Sequence, residues 1–241
     1  MGNRMGYVLI GIAALLAIAI ASAAPVGPDT LQVTSSSRGT ERTSSGIGAL
    51  AGNVSELNIS GTSVTQFWQG YYGNITGRIV LSDANNKSLY QWNLVSPTGE
   101  IYASRSATLN WSNVACADGQ QILQEDTYLG ANSGVDPDSM NLTFSGYTYN
   151  SFYTGFLNFT SGSCRAAGIN GSTGGAFYEV LQVDGNNETN KTIYTSLISQ
   201  NTVGYDSQLH DFQMIVGEPG SGAELYPNGA ATTYYFWVEL Q

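Results

Sequence analysis

From residue 53 onward the chain is written in short runs in which apolar and polar residues alternate, punctuated by Gly, Asn, Asp and Pro. A two-residue period is that of a strand with one buried face. The runs therefore predict strands at 75–81, 89–95, 100–104, 140–144, 155–160, 177–183, 192–198, 211–216 and 233–240. In LYQWNLV, 89–95, the alternation puts Tyr90, Trp92 and Leu94 on one face. An Asp- and Asn-rich turn at 83–88 precedes that run and Ser96-Pro97-Thr98-Gly99 follows it, which predicts a three-stranded meander over 75–104. No helical period of useful length follows residue 24. The expected fold is all-β, an antiparallel β-sandwich of jelly-roll or Ig-like type over residues 53–241, with room for a smaller satellite sheet.

The chain before residue 53 reads differently. A short head containing Arg4 leads into an apolar run of 18 residues, Tyr7 to Ala24, that ends with Ala21-Ser22-Ala23, a small-x-small cleavage signal. Residues 1–23 read as a signal peptide, or as a hydrophobic anchor helix if the segment is retained. A third reading, a pilin-type leader cut after Gly6, is opposed by Pro25 and Pro28, which break the long helix such a subunit needs. Arg4 holds the N-terminus inside, so the remainder is expected at the extracellular surface. Residues 24–52, rich in Ser, Thr and Gly, read as a linker whose one candidate strand contains Leu31 and Val33. A short alternating strand on a tether is the form used in strand donation, which makes 29–51 a candidate assembly segment.

Composition sharpens the picture. Only 11% of residues are charged, against roughly 25% in an average soluble protein, so something other than charge must keep the domain in solution. Eight basic residues against 18 acidic ones, net charge −10, are scattered and form no basic stripe, which argues against nucleic acid as a partner. Asn-x-Ser/Thr occurs at Asn53, Asn58, Asn74, Asn86, Asn110, Asn141, Asn158, Asn170, Asn187 and Asn190, ten of the 19 asparagines, and a coat of N-linked glycans would supply the missing solubility. At Asn58, Asn110, Asn141 and Asn158 the asparagine lies between two apolar residues, so strand parity turns it outward. Cys116 and Cys164 are the only cysteines; in an exported chain they are expected to pair, and with the lone His210 they do not complete a structural zinc site.

The stretch FWQGYYGNITG, 67–77, gathers four aromatic rings around the Asn74 acceptor. With Ile75, Ile79 and Leu81 facing in, parity buries Phe67 and Tyr71 and leaves Trp68 and Tyr72 beside Asn74. Gly70 and Gly73 can carry a bulge that resets this register. The rings are then core and cross-strand pairs, a seat for the Asn74 glycan, or a platform for foreign carbohydrate.

This stretch through Trp92, together with IYTSLISQNTVGYDSQLHDFQMIVGEPG and the terminal TTYYFWVEL, resembles an uncharacterised family of exported archaeal cell-surface glycoproteins, from about Val64 to Leu240. The resemblance implies a surface location and carries no catalytic residues.

No nucleophile elbow, zincin, Walker or Rossmann pattern is present. His210, in DSQLHD, has triad residue types around it at spacings without precedent in nucleophile elbows. Glu125-Asp126 and Asp136-Pro-Asp138 offer oxygen ligands for Ca2+, without EF-hand spacing. No cofactor is otherwise implied. The leading expectation is a glycosylated structural or interaction protein, a coat, filament or adhesive-layer subunit, partnered by its own copies or by other surface proteins. A carbohydrate-binding module using Trp68, Tyr72 and Trp237 is the alternative, followed by a glycan-processing enzyme whose paired carboxylates would meet only in the fold.

Overall fold

The computed structural model describes residues 24–40, 42–146, 148–170, 176–185, 191–219 and 231–241. The expected signal or anchor helix, and the acceptors Asn187 and Asn190, lie outside them. Among the described residues no helix is long and apolar enough to cross a membrane.

In chain order the elements are β1 Trp68–Gly73, β2 Gly77–Ser82, β3 Ser88–Leu94, β4 Gly99–Ser104 and β5 Val114–Cys116. Two helices follow, α1 Gly119–Leu129 and α2 Met140–Thr143. Then come β6 Phe152–Thr154, β7 Leu157–Phe159, β8 Ala166–Ile169, β9 Phe177–Asp184 and β10 Thr192–Leu197. The last strands are β11 Thr202–Val203, β12 Leu209–His210, β13 Phe212–Gly217 and β14 Tyr235–Leu240. The chain is mostly β and its sheets are antiparallel.

The centre is a six-stranded sheet in the order β14-β4-β10-β9-β5, with β8 also paired to β9. Its strands β4, β9 and β10 are buried nearly throughout, because both faces are covered. Strand parity divides their side chains between two cores. Ile101, Ala103, Leu181, Val183 and Tyr194 enter one cluster with Ile122 and Leu129 of α1, Met140 and Phe144, and Met214 and Val216 of β13. Tyr102, Val180 and Ile193 enter the other, against Phe152 and Phe159 of the β6–β7 hairpin. The β1–β13 pair is held to the sheet by two hydrogen bonds: Ile215 N–H donates to Glu179 Oε2 (2.8 Å), and Ser196 Oγ donates to the Gln213 carbonyl (3.1 Å).

Three sequence expectations change here. The meander does not form: β2 and β3 pair with each other, whereas β4 leaves to pair with β10 and β14. Gly99 makes that departure, with φ +121° and a backbone so close to Glu239 that an added Cβ would lie 2.0 Å from its carbonyl oxygen. The strand expected at 140–144 is the helical turn α2, and α1 lies where no helix was expected. α1 has an N-terminal capping box from Asp118 and Gln121 and ends on Gly130 in the left-handed region. Its buried positions, Ile122, Glu125, Asp126 and Leu129, follow the helical period, but two are acids, so the apolar signal is halved. Glu125 is buried because Arg105, the residue just after β4, grips it while Thr192 Oγ1 and Tyr194 OH donate to it. Asp126 accepts the Met140 (2.6 Å) and Asn141 (3.3 Å) N–H groups at the start of α2.

The expected disulfide is present: Cys116 at the end of β5 is bonded to Cys164, tying the segment that carries both helices back to the sheet.

Candidate interaction surface

The β2–β3 hairpin supplies the largest run of exposed apolar side chains in regular structure. Register places Ile79 opposite Trp92 and Leu81 opposite Tyr90, so all four share a face. Ile79 is 48%, Leu81 51%, Tyr90 58% and Trp92 49% exposed. The alternation read from the sequence is therefore real. Ile79 and Leu81, expected in the core, instead form an open face. Tyr90 and Trp92 lie against each other, ring centroids 4.7 Å apart. The base of the hairpin is packed at Gly77, where an added Cβ would lie 2.1 Å from Leu240 Cδ1 of β14 and 3.7 Å from Leu94 Cδ1. A two-stranded hairpin alone is marginally stable in water, and this one has two open edges besides its apolar face.

The rings of 67–77 divide differently from the parity expectation. Trp68, expected beside Asn74, is half-buried: its indole N–H donates to the Asp138 carbonyl (2.6 Å) and its ring packs on Phe144, centroids 5.9 Å apart. Phe67 and Tyr71 pack against the same core, as expected. The two glycines leave β1 regular, in unbroken register with β13; the strand ends at Gly73, so Asn74 stands in the following loop. Tyr72 is exposed and meets Tyr205 and His210 edge-on, each at 4.9 Å. A hydrogen bond with Tyr72, followed by slight desolvation, pushes the Tyr205 hydroxyl up to about 12. Trp237 is half-buried against Trp111, centroids 5.4 Å apart. Of the three rings assigned to carbohydrate, Tyr72 alone is open to solvent.

Among the described acceptors, Asn53, Asn58, Asn74, Asn86, Asn110 and Asn158 are exposed. Strand parity accounts for one of its four cases: Asn158 points out of β7 while Phe159 is buried. Asn110 instead caps a 3-10 turn, Asn58 lies outside any strand, and Asn141 is half-buried in α2 with Oδ1 accepting from Arg165 (2.6 Å). The Asn170 side chain donates to the Val203 carbonyl (2.9 Å).

The oxygen ligands considered for Ca2+ are dispersed. Besides the roles of Glu125 and Asp126 already given, Asp136 accepts the Asn132 N–H and Asp138 accepts the Thr65 hydroxyl. No group of three His, Cys, Asp or Glu able to hold a metal ion occurs among the described residues. His210 pairs with Asp206 through Nε2 at 2.9 Å, in the small β11–β12 hairpin. One constellation that sequence reasoning missed is Glu100 and Glu239, directly opposite across β4 and β14 and each 4% exposed. They are 139 residues apart in sequence, and no local pattern joins them. Closed off from solvent, they do not make an open glycosidase cleft.

No protein-family model, characterised protein or solved structure matches the chain.

Proposed function

We propose that the chain is a heavily N-glycosylated structural subunit of an archaeal cell surface: an exported β-sandwich, its central sheet covered by the β1–β13 pair, that assembles with its own copies into a coat, filament or adhesive layer. The observation that carries this reading is the apolar face of the β2–β3 hairpin. A second copy is the fitting occupant because the same chain holds exposed segments of matching pattern. Leu31-Gln-Val33 and Leu57-Asn-Ile59 alternate as a strand does, and their apolar side chains are exposed. They belong to a stretch, 27–66, whose described residues are nearly all exposed and which fully extended spans on the order of 130 Å, enough to reach a neighbour. Within its own subunit the segment pairs with β14 at a single bridge, Val26 with Val238. Two residues on, Pro28 has no N–H to continue that ladder, so the chain peels away before Leu31.

The test compares the wild-type glycosylated chain with the Ile79→Ser/Trp92→Ser variant and with a chain lacking residues 29–51, by sedimentation velocity and electron microscopy. Both changes are expected to abolish higher-order assembly and leave thermal unfolding nearly unaltered, since the altered side chains are exposed. A wild-type chain that stays monomeric at high concentration contradicts self-assembly; assemblies that persist in both variants move the contact elsewhere.

A second reading, carbohydrate binding, is favoured by one observation, the exposed Tyr72–Tyr205 pair. Glycan-array binding that disappears in Tyr72→Ala would support it.

A further inference from the structure

The Glu100 and Glu239 carboxyl groups are short of partners in an unusual way. Glu239 Oε2 accepts the Tyr102 hydroxyl (3.0 Å) and the Gly155 N–H (2.8 Å). Glu239 Oε1 and Glu100 Oε2, both buried, have no hydrogen-bond partner among the described residues. Two carboxyl groups with orphaned oxygens, shielded from water, call for a cation or a proton. The titratable groups facing them are Tyr102 on β4 and each other; from β6 the backbone of Tyr153 hydrogen-bonds Glu100.

Residues Ala24 to Val26 lie beside this pocket. Val26 exchanges both backbone hydrogen bonds with Val238, the neighbour of Glu239 (3.1 and 2.8 Å). That ladder places Pro25 opposite Glu239, and Pro25 is buried. Ala24 in turn approaches Gly155, the residue whose N–H already serves Glu239: a Cβ built on Gly155 would lie 3.9 Å from the Ala24 Cα. The cleavage signal Ala21-Ser22-Ala23 ends at the peptide bond joining Ala23 to Ala24.

We infer that processing creates the missing cation: hydrolysis between Ala23 and Ala24 leaves a free α-ammonium at Ala24 that ion-pairs with the buried Glu100 and Glu239 carboxyl groups. A membrane-bound signal peptidase and one water suffice. The amide C–N bond breaks, Ala23 departs with the new carboxylate, and the Ala24 nitrogen takes up protons to become –NH3+. The ammonium has three donors, enough for both orphaned oxygens, and the uncut chain has an amide with one N–H and no charge at the same place. The consequence is a domain completed by its own maturation. The outer edge of β14 is paired at Val26 in the uncut chain already, and the buried charge beneath it is neutralised by the ammonium only after the leader is removed. The inference rests on the exported reading and not on self-assembly.

The experiment prepares three chains: one beginning at a free Ala24, one N-acetylated at Ala24, and one extended by Ser22-Ala23. Each is made on the wild-type background and on Glu100→Gln/Glu239→Gln, and thermal unfolding is measured near neutral pH. The free-amine wild-type chain is expected to melt several degrees above the blocked and extended forms, with that gap absent in the Gln background. Equal melting of all three wild-type chains overturns the ion pair, as does a gap that survives the Gln substitutions. If the Gln background fails to fold, the α-amine is titrated directly in selectively labelled wild-type protein. A value at least about one unit above the usual 7.7–8.0, a tenfold shift in proton affinity, is expected, and an ordinary value overturns the proposal. The N-terminal mass of native protein is read separately: a start at Ala24 is expected. Any other start overturns the maturation step, while the melting series judges the ion pair on its own.

Discussion

Glu100 and Glu239 face each other across the β4–β14 ladder, both carboxyl groups buried and each with one oxygen lacking a partner among the described residues. Burial, and after it the charge of Glu239, pushes Glu100 from 4.5 up to about 9; burial raises Glu239 as well. A chain blocked at its N-terminus must satisfy this site with a proton.

That requirement sets a pH dependence. The blocked native chain holds a proton on Glu100 that the unfolded chain releases near 4.5, so its stability is full below 4.5 and falls as pH rises, levelling off above about 9. One proton corresponds to a slope of up to about 1.4 kcal/mol per pH unit. Denaturant unfolding of the acetylated chain at several pH values between these limits should show the decline, and Glu100→Gln, which does not titrate, should flatten it. A blocked wild-type chain whose stability ignores pH in this window contradicts the assignment.

Trp68 and Tyr72 lie four residues apart in one strand and should respond oppositely to truncation. Trp68→Ala removes the packing on Phe144 and the hydrogen bond to Asp138, and should cost about 2–4 kcal/mol. Tyr72→Ala, at an exposed ring, should cost about 1 kcal/mol or less. Urea unfolding of the unglycosylated variants decides; equal losses would remove the distinction drawn between the two rings.

Replacing both Cys116 and Cys164 by Ser opens a covalent loop whose ends are 48 residues apart. The chain-entropy model puts the loss at about 4 kcal/mol, seen as a lower denaturant midpoint. Because the loop holds α1 and α2, amide exchange should accelerate there before it does in β9 and β10. Uniform acceleration would show that the bond constrains the whole domain equally.

Glycan occupancy should follow local structure. Asn74, Asn86 and Asn158 are exposed, whereas Asn141 is half-buried in α2 and accepts a hydrogen bond from Arg165. Intact-glycopeptide mass spectrometry of native material should find the first three modified and Asn141 mostly bare. Full occupancy at Asn141 would mean that transfer precedes the folding of α2.

The sequence alone determined the features whose physics is local. Alternation at a period of two marked most of the strands, including β9, β10 and β13, because side chains on successive residues of a strand point to opposite faces. Two cysteines in a chain read as exported sufficed to expect the disulfide, since no third thiol competes. The tertiary structure decided whatever depends on which face meets which. Ile79, Leu81, Tyr90 and Trp92 carry the same alternation as a core strand, yet their face is open; the pattern says that a face is apolar and is silent on what covers it. α1 escaped notice because Glu125 and Asp126 occupy core positions, held there by Arg105 just after β4 and by the N–H groups of α2, partners 14 to 20 residues away. Trp68 was turned inward by the pairing of β1 with β13, some 140 residues later in the chain, a long-range contact with no local signature. The Glu100–Glu239 pair arises in the same way, from two distant strands placed side by side. Burial then converts two ordinary surface-type residues into a site that calls for a cation or a proton.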